Sequence, residues 1–231
     1  MSLHPRNNNT NRFHLFEQLF PNFTVSDKLL DFGGNRGNLL YFSNGKITQQ
    51  NYTSVDVSLE SIEQGKEEFP DANFIYYDRW SSMYNHSGNS NLNFPYISKK
   101  QDYIFSFSVF THTDYNELTQ TLNWFEDFDY KSSAHSLLDI RCRDTVKWFY
   151  EKRCNDYGYC EDILSLVDNP EVNIVYLYDN HTVVINKEQA PKINSDHFLT
   201  FYDIDWIKKK LNIGVERPVP DLHPFIIKKG N

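Results

Sequence analysis

A chain of 231 residues with 16% aromatic residues and a formal net charge of −8 is long enough for one large domain with its own core and an added segment. The acidic balance excludes a protein that works chiefly by gripping phosphate backbone. No run is long and apolar enough to span a bilayer, so neither nucleic acid nor membrane is an expected partner. Three cysteines (Cys142, Cys154, Cys160) form no C-x-x-C pair and match no familiar zinc spacing. An odd count without a signal peptide predicts reduced thiols in a cytoplasmic protein, with no metal site.

The opening MSLHPRNNNTNR is polar, and its asparagine run predicts a frayed or tag-derived tail. Phe13, Leu15, Phe16, Leu19 and Phe20, ahead of Pro21, predict a short helix laid across one edge of a sheet. The stretch Lys28 to Leu40, KLLDFGGNRGNLL, is the one around which the rest of the chain is organised. Leu29, Leu30 and Phe32 read as a strand that stops at Gly33-Gly34, and Leu39, Leu40 and Phe42 read as the apolar face of a helix. Strand, glycine turn and helix together bring backbone N–H groups and a positive helix end up to a ligand. Gly33 permits the tight turn, Gly37 permits close packing of helix on strand, and Asn35 tolerates the left-handed conformation. A dinucleotide fingerprint needs glycine at 35 and 38, where this chain has Asn35 and Asn38, so a nicotinamide cofactor fits poorly.

Tyr52 to Val57 predicts a second strand ending at Asp56, about 20 residues past the glycine turn, where nucleotide-binding folds place the acid that meets ribose hydroxyls. A carboxylate suits a vicinal diol because it offers several lone pairs. The alternative is that Asp56 caps the helix starting near Ser58. Leu59, Ile62 and Phe69 give that helix its apolar side, and Pro70 stops it. Asn73 to Tyr77 predicts a third strand ending at Asp78-Arg79, where Asp78 is a strand-end acid or a surface turn residue. Residues 79–100 form a long Ser- and Asn-rich loop whose tip, Asn85 to Asn93, is predicted to be mobile.

Asp102 to Phe110 predicts the fourth strand, followed by Thr111-His112 and a helix opened by Asp114 and Glu117, with Tyr115, Leu118, Leu122 and Phe125 as its buried stripe. Ser136 to Ile140 predicts the fifth strand, with Asp139 and Arg141 at its end, meeting a polar substrate or pairing with each other. Val146, Phe149 and Tyr150 predict one helix; Ile163, Leu164 and Val167 predict another. Val172 to Tyr178 and His181 to Asn186 alternate around Asp179-Asn180 as a hairpin. Ile204, Ile207 and Leu211 make a last helix with Lys208, Lys209 and Lys210 at its C-terminal end. Val215 to Arg217 and Pro224 to Lys228 predict closing strands, antiparallel at the sheet edge.

Asp31, Gly33, Asn35 and Gly37 resemble the first motif of class I S-adenosylmethionine-dependent methyltransferases, an acid followed by G-x-G-x-G, with Asn35 in the middle slot. The run DYIFSFSVFTH, residues 102–112, resembles a second stretch of that family. The resemblance implies an α/β fold: a doubly wound, mostly parallel seven-stranded sheet with helices on both faces and an antiparallel strand at the edge. It implies S-adenosyl-L-methionine as cofactor, held by Asp31, Gly33, Gly34, Asn35 and Gly37. Asp56 and Val57 would lie at the ribose, Asp78 and Arg79 near the adenine, and Ser106 and Phe107 at the methionine moiety. The acceptor would be a small molecule attacking through O, N or C. His112 is the first choice for a general base, the alternative being a cap or packing role.

YKSSAH stands where the family has a Pro-Gly-Gly turn. Residues 142–200 are predicted as an aromatic-rich insertion in a single domain spanning 1–231, forming a helix and hairpin cover over the acceptor site. Replacing 168–190 by a Gly-Ser linker is accordingly expected to leave cofactor binding intact. A non-catalytic binding module on the same fold is the alternative function, ahead of a nicotinamide oxidoreductase.

Overall fold

A computed structural model describes residues 12–91, 93–153, 160–178, 182–191, 198–218 and 224–230. In chain order the first half holds α1 (Arg12–Leu19), β1 (Leu29–Phe32), α2 (Asn38–Phe42), β2 (Tyr52–Asp56), α3 (Leu59–Glu68), β3 (Asn73–Tyr76), β4 (Tyr103–Ser106) and α4 (Tyr115–Phe125). The second half holds β5 (Ser132–Ser136), β6 (Leu138–Asp139), α5 (Arg143–Arg153), α6 (Cys160–Asp168), β7 (Ile174–Tyr178), β8 (Val183–Ile185), β9 (Phe198–Tyr202), α7 (Ile204–Leu211), β10 (Gly214–Glu216) and β11 (Phe225–Lys229). The polar tail at 1–11 and the expected hairpin turn at Asp179-Asn180 lie outside the described residues. No helix among the described residues is long and apolar enough to cross a membrane.

Seven strands form one sheet in the order β10-β11-β5-β4-β1-β2-β3. The five from β3 to β5 run parallel, β11 pairs antiparallel with β5, and β10 antiparallel with β11. Successive side chains of a strand point to opposite faces, and here both faces are covered. Leu30, Phe32 and Ile104 pack with Leu118 and Phe125 of α4 and Ile207 of α7. Leu29, Tyr103 and Phe105 pack on the other face with Phe16 of α1, Leu39 of α2 and Ile62 of α3. The expected doubly wound, mostly parallel sheet is therefore present.

Three expectations change. The fifth strand is Ser132–Ser136 rather than Ser136 to Ile140. Its run of serines carries no apolar signal, yet it is buried because β4 and β11 flank it and several of its polar groups find partners, while His135 Nε2 finds none among the described residues. Ser106 Oγ meets His135 Nδ1 at 2.7 Å, and the Ser108 N–H donates to Ser136 Oγ at 2.6 Å. The apolar Leu138 and Asp139 go instead to β6, in a second, four-stranded sheet ordered β6-β9-β7-β8. Next, α2 spans five residues, so its aligned peptide dipoles are few. Finally, residues 79–91 are not a free tip: Asn89 N–H donates to the Asp78 carbonyl at 2.9 Å and Ser81 N–H to the Asn85 carbonyl at 2.9 Å. Buried Asn85 ties the turn together through Tyr76, Asp78 and the Arg79 carbonyl.

The second sheet shares the core of the first. From β7, Ile174, Tyr176 and Tyr178 pack into the α4 and α7 face of the central sheet, whereas Val175 and Leu177 pack with Val146 and Val167 of α5 and α6. Asp139 and Arg141 do not pair through their side chains. Asp139 accepts from Arg217 at 2.6 Å, and Arg141 pairs with Asp203 at 2.7 Å while donating to the carbonyls of Val167, Asn169 and Val172.

Candidate functional site

The site begins where β1 ends. Gly33 and Asn35 take the left-handed conformation, with φ of 79° and 54°. A Cβ on Gly33 would lie 2.2 Å from Val109 Cγ2, so only glycine lets this turn press against the segment leaving β4. Gly33 N–H donates to the Val55 carbonyl at 2.7 Å, which fixes the turn to β2. At the end of β2, Asp56 accepts the Asn35 N–H at 2.7 Å through one carboxylate oxygen and the Ser58 N–H at 2.9 Å through the other. The carboxylate thus joins the glycine turn to the start of α3, and burial pushes it above the usual carboxylate range. Ser58, not Asp56, is the N-cap, accepting from the Ser61 N–H.

A cleft opens over these carboxyl ends. Gly33, Asn35, Asp56 and Val57 line one side, with Phe32 and Val55 below. Phe107, Ser108, Val109, His112 and Thr113, which follow β4, also line the cleft, with Val109 against Gly33. Tyr77, the Arg79–Glu117 pair, Trp80, Ser81, Ser82 and Tyr84 complete the lining. From the segment after β3, Arg79, Trp80, Ser81, Ser82 and Tyr84 line this cleft, and no described residue of 142–200 does.

Of the expected residues, Gly33, Asn35, Asp56, Val57, Arg79, Phe107 and His112 meet in the cleft. Asp31, Gly34, Gly37, Ser106 and Asp78 do not line it. Asp31 lies on the opposite face of β1, where it accepts from Tyr52 Oη at 2.6 Å and burial pushes its carboxyl up to about 6. Gly34 stands over it: a Cβ there would be 2.5 Å from Ser54 Oγ and 2.9 Å from the Asp31 carboxylate. Gly37 precedes α2 with φ of 78°. Ser106 is wholly buried against His135, whose burial holds its imidazole down to about 3. Asp78 is turned to the surface, where bonds from Tyr76 at 2.6 Å and Asn85 at 3.0 Å hold its carboxyl below the usual range. The acid facing that end of the cleft is Glu117, paired with Arg79 at 2.8 Å and pushed up by burial.

His112 Nδ1 lies 3.0 Å from the Phe198 carbonyl. A carbonyl only accepts, so Nδ1 carries the proton of the neutral ring and the lone pair sits on Nε2. The second sheet holds this loop in place: Thr200 N–H donates to the Thr111 carbonyl at 2.9 Å, and Thr200 Oγ1 to the Thr113 carbonyl at 2.6 Å. Ser82 Oγ and Thr113 Oγ1, both from cleft residues, are buried with no hydrogen-bond partner among the described residues.

Sequence reasoning missed Phe198 and Thr200, which act through backbone pairing across a large chain separation, and it missed Arg12. The N-terminal segment reads as a frayed tail, yet Arg12 opens α1 with its guanidinium 5.0 Å over the Phe107 ring, lining the cleft. No cluster of three or more metal-ligating residues occurs among the described residues. The site instead combines a left-handed glycine turn, a carboxylate with spare lone pairs, apolar side chains and a guanidinium. Those groups fit a ligand with a diol, a flat apolar face and an anionic end.

No family model and no curated protein matches the chain. Among solved structures, it is similar to an S-adenosylmethionine-dependent methyltransferase from Clostridium acetobutylicum ATCC 824, at a TM-score of 0.54 and 18% identity over 96% of this chain and 91% of that one. A protein of Pyrococcus horikoshii OT3 gives 0.54 and 13% over 96% and 93%. An S-adenosylmethionine-dependent methyltransferase from Mesorhizobium loti gives 0.53 and 10% over 96% and 98%. At these identities the likeness is one of fold.

Proposed function

We propose, because the fold is that of class I S-adenosylmethionine-dependent methyltransferases, that the cleft binds S-adenosyl-L-methionine and the protein transfers its methyl group to a small-molecule acceptor. One observation carries the reading. The left-handed turn at Gly33 and Asn35 and the strand-end acid Asp56 meet in one cleft at the carboxyl ends of β1, β2 and β4, the place where open α/β sheets bind ligands.

The residues present suit that cofactor. Each Asp56 oxygen that already accepts one N–H retains a lone pair for a ribose hydroxyl. Val57, Phe32 and Tyr77 offer apolar surface to a purine, and Glu117 offers an acceptor to an exocyclic amine. When bound, the cofactor supplies an electrophilic methyl group, and the protein's part is to hold the acceptor in line with it and keep water out. Trp80, Ser81, Ser82 and Tyr84, which line the cleft, serve that exclusion. His112 Nε2, oriented by the Phe198 carbonyl, takes the proton of an acceptor whose nucleophile carries one. The net charge of −8 favours a small molecule over nucleic acid.

Saturating S-adenosylhomocysteine is expected to raise the melting temperature, since a ligand specific for the native state stabilises it. A melt that NAD raises and S-adenosylhomocysteine leaves unmoved sinks the proposal. Asp56→Ala is expected to weaken S-adenosylhomocysteine binding by about 1–3 kcal/mol in calorimetric titration. It is also expected to lower the melting temperature of the free protein, because Asn35 and Ser58 lose the acceptor for their N–H groups. Unchanged affinity in a folded Asp56→Ala variant would leave Asp56 with the turn-clamping role alone.

A further inference from the structure

A second groove adjoins the cleft and shares Arg79, Trp80 and Glu117 with it. It holds about 830 Å³, within the range of about 300–1,000 Å³ for small-molecule sites. One wall is the outward face of α4, where Asn116, Gln120 and Asn123 stand exposed at helical spacing, with exposed Asp127 just past the helix end. Leu118 and Phe125 hold the other face of α4 in the core. The three carboxamides make no side-chain hydrogen bond among the described residues. Asparagine is a poor helix former, and an exposed helix face gains more from lysine, arginine or glutamate. Yet α4 carries no lysine or arginine.

Aromatic surface meets these amides. Phe94 and Trp124 stack with ring centroids 4.7 Å apart and planes 6° from parallel, and Trp80 is 39% exposed; all three line the groove. Arg79, the cation among the lining residues, is paired with Glu117, so Asp127 would repel an anion with no unpaired cation to answer it. A purely apolar ligand would leave the amides dry and unpaired. A hydroxyl both donates and accepts, and a carboxamide offers both roles in one plane. The electron-rich face of an aromatic ring receives the C–H face of a sugar. We infer that this groove is a second binding site, for a neutral saccharide. From Asn116 to Asn123 the amides run about 10 Å along the helix, longer than a single sugar ring, so the ligand is a short oligosaccharide. This site stands whether or not the cleft binds S-adenosyl-L-methionine.

The test applies the full-length protein to an array of neutral and sulfated oligosaccharides and titrates each retained glycan by calorimetry. At least one neutral oligosaccharide is expected to bind, and its sulfated counterpart more weakly. The double variant Gln120→Ala, Asn123→Ala is expected to lose about 5- to 100-fold in affinity for it, the range for two neutral hydrogen bonds. Alanine is the better helix former at both exposed positions, so the variant is expected to melt no lower than the wild type. Neither residue lines the cleft, so any shift in melting temperature given by S-adenosylhomocysteine is expected to match that of the wild type. If no neutral oligosaccharide is retained, if sulfated ones are preferred, or if the double variant binds as the wild type does, the inference is overturned and the cofactor reading is untouched. Neutral peptides retained on a parallel array and lost in the same variant would overturn it as well.

Discussion

Tyr176→Ala is expected to cost about 3–5 kcal/mol in urea unfolding, the range for emptying a large aromatic site in a packed core. The residue is fully buried in β7, its ring packs edge-on to Phe198 at 6.0 Å, and its hydroxyl accepts the Tyr115 N–H at the start of α4. Truncation leaves a cavity between the two sheets and an unsatisfied N–H at the start of α4. Tyr176→Phe keeps the volume and loses only the hydroxyl, so about 1 kcal/mol is expected. Because β7 feeds one core with Tyr176 and the other with Val175 and Leu177, unfolding is expected to be a single transition by fluorescence and far-UV circular dichroism. Two separated transitions would show that the sheets fold independently. The same sharing changes what removal of 168–190 does. That segment contains β7 and β8, and its loss strips β9 of its antiparallel partner and opens both cores. A Gly-Ser replacement is therefore expected to unfold the protein rather than uncover an intact site.

Arg141→Ala is expected to destabilise by about 2–3 kcal/mol. The guanidinium satisfies carbonyls at the end of α6, donates to the Asp203 carboxylate and reaches the Val172 carbonyl, all from one partly buried side chain. Breaking such a pair leaves a carboxylate and several carbonyls without their donor. Some exposure of both partners keeps the cost below that of a wholly buried pair. Arg141→Lys should recover little of it, because one ammonium cannot span the same acceptors. A loss below about 0.5 kcal/mol would mean that water replaces the guanidinium at no cost.

The glycine turn and Asp56 were legible because their chemistry is local: a left-handed turn demands particular residues, and a strand-end acid stands at a fixed distance beyond it. The alternation of Leu29, Leu30, Tyr103 and Ile104 likewise reveals strands covered on both faces. The remainder depends on partners that sequence pattern does not carry. Ser132–Ser136 has no apolar periodicity, and its burial is permitted by Ser106 and Ser108 across the ladder. Asp78 and Glu117 illustrate the same limit. The expected adenine acid turns outward to Tyr76 and Asn85, and the acid that does face the cleft reads in sequence as part of a capping box. Arg12 was hidden because a polar segment before a short helix looks like a tail until the helix is docked.

The polar β5 also bears on how the chain is made. Its outer partner, β11, follows far later in the chain, so during synthesis β5 waits as the bare margin of a growing parallel sheet. An unpaired strand at such a margin invites other nascent chains to add to it, most readily when it is flat and rich in valine or isoleucine. A serine-rich strand with one histidine is a poor template for that addition. The composition that conceals β5 from a reader of the sequence also protects the chain until β11 arrives.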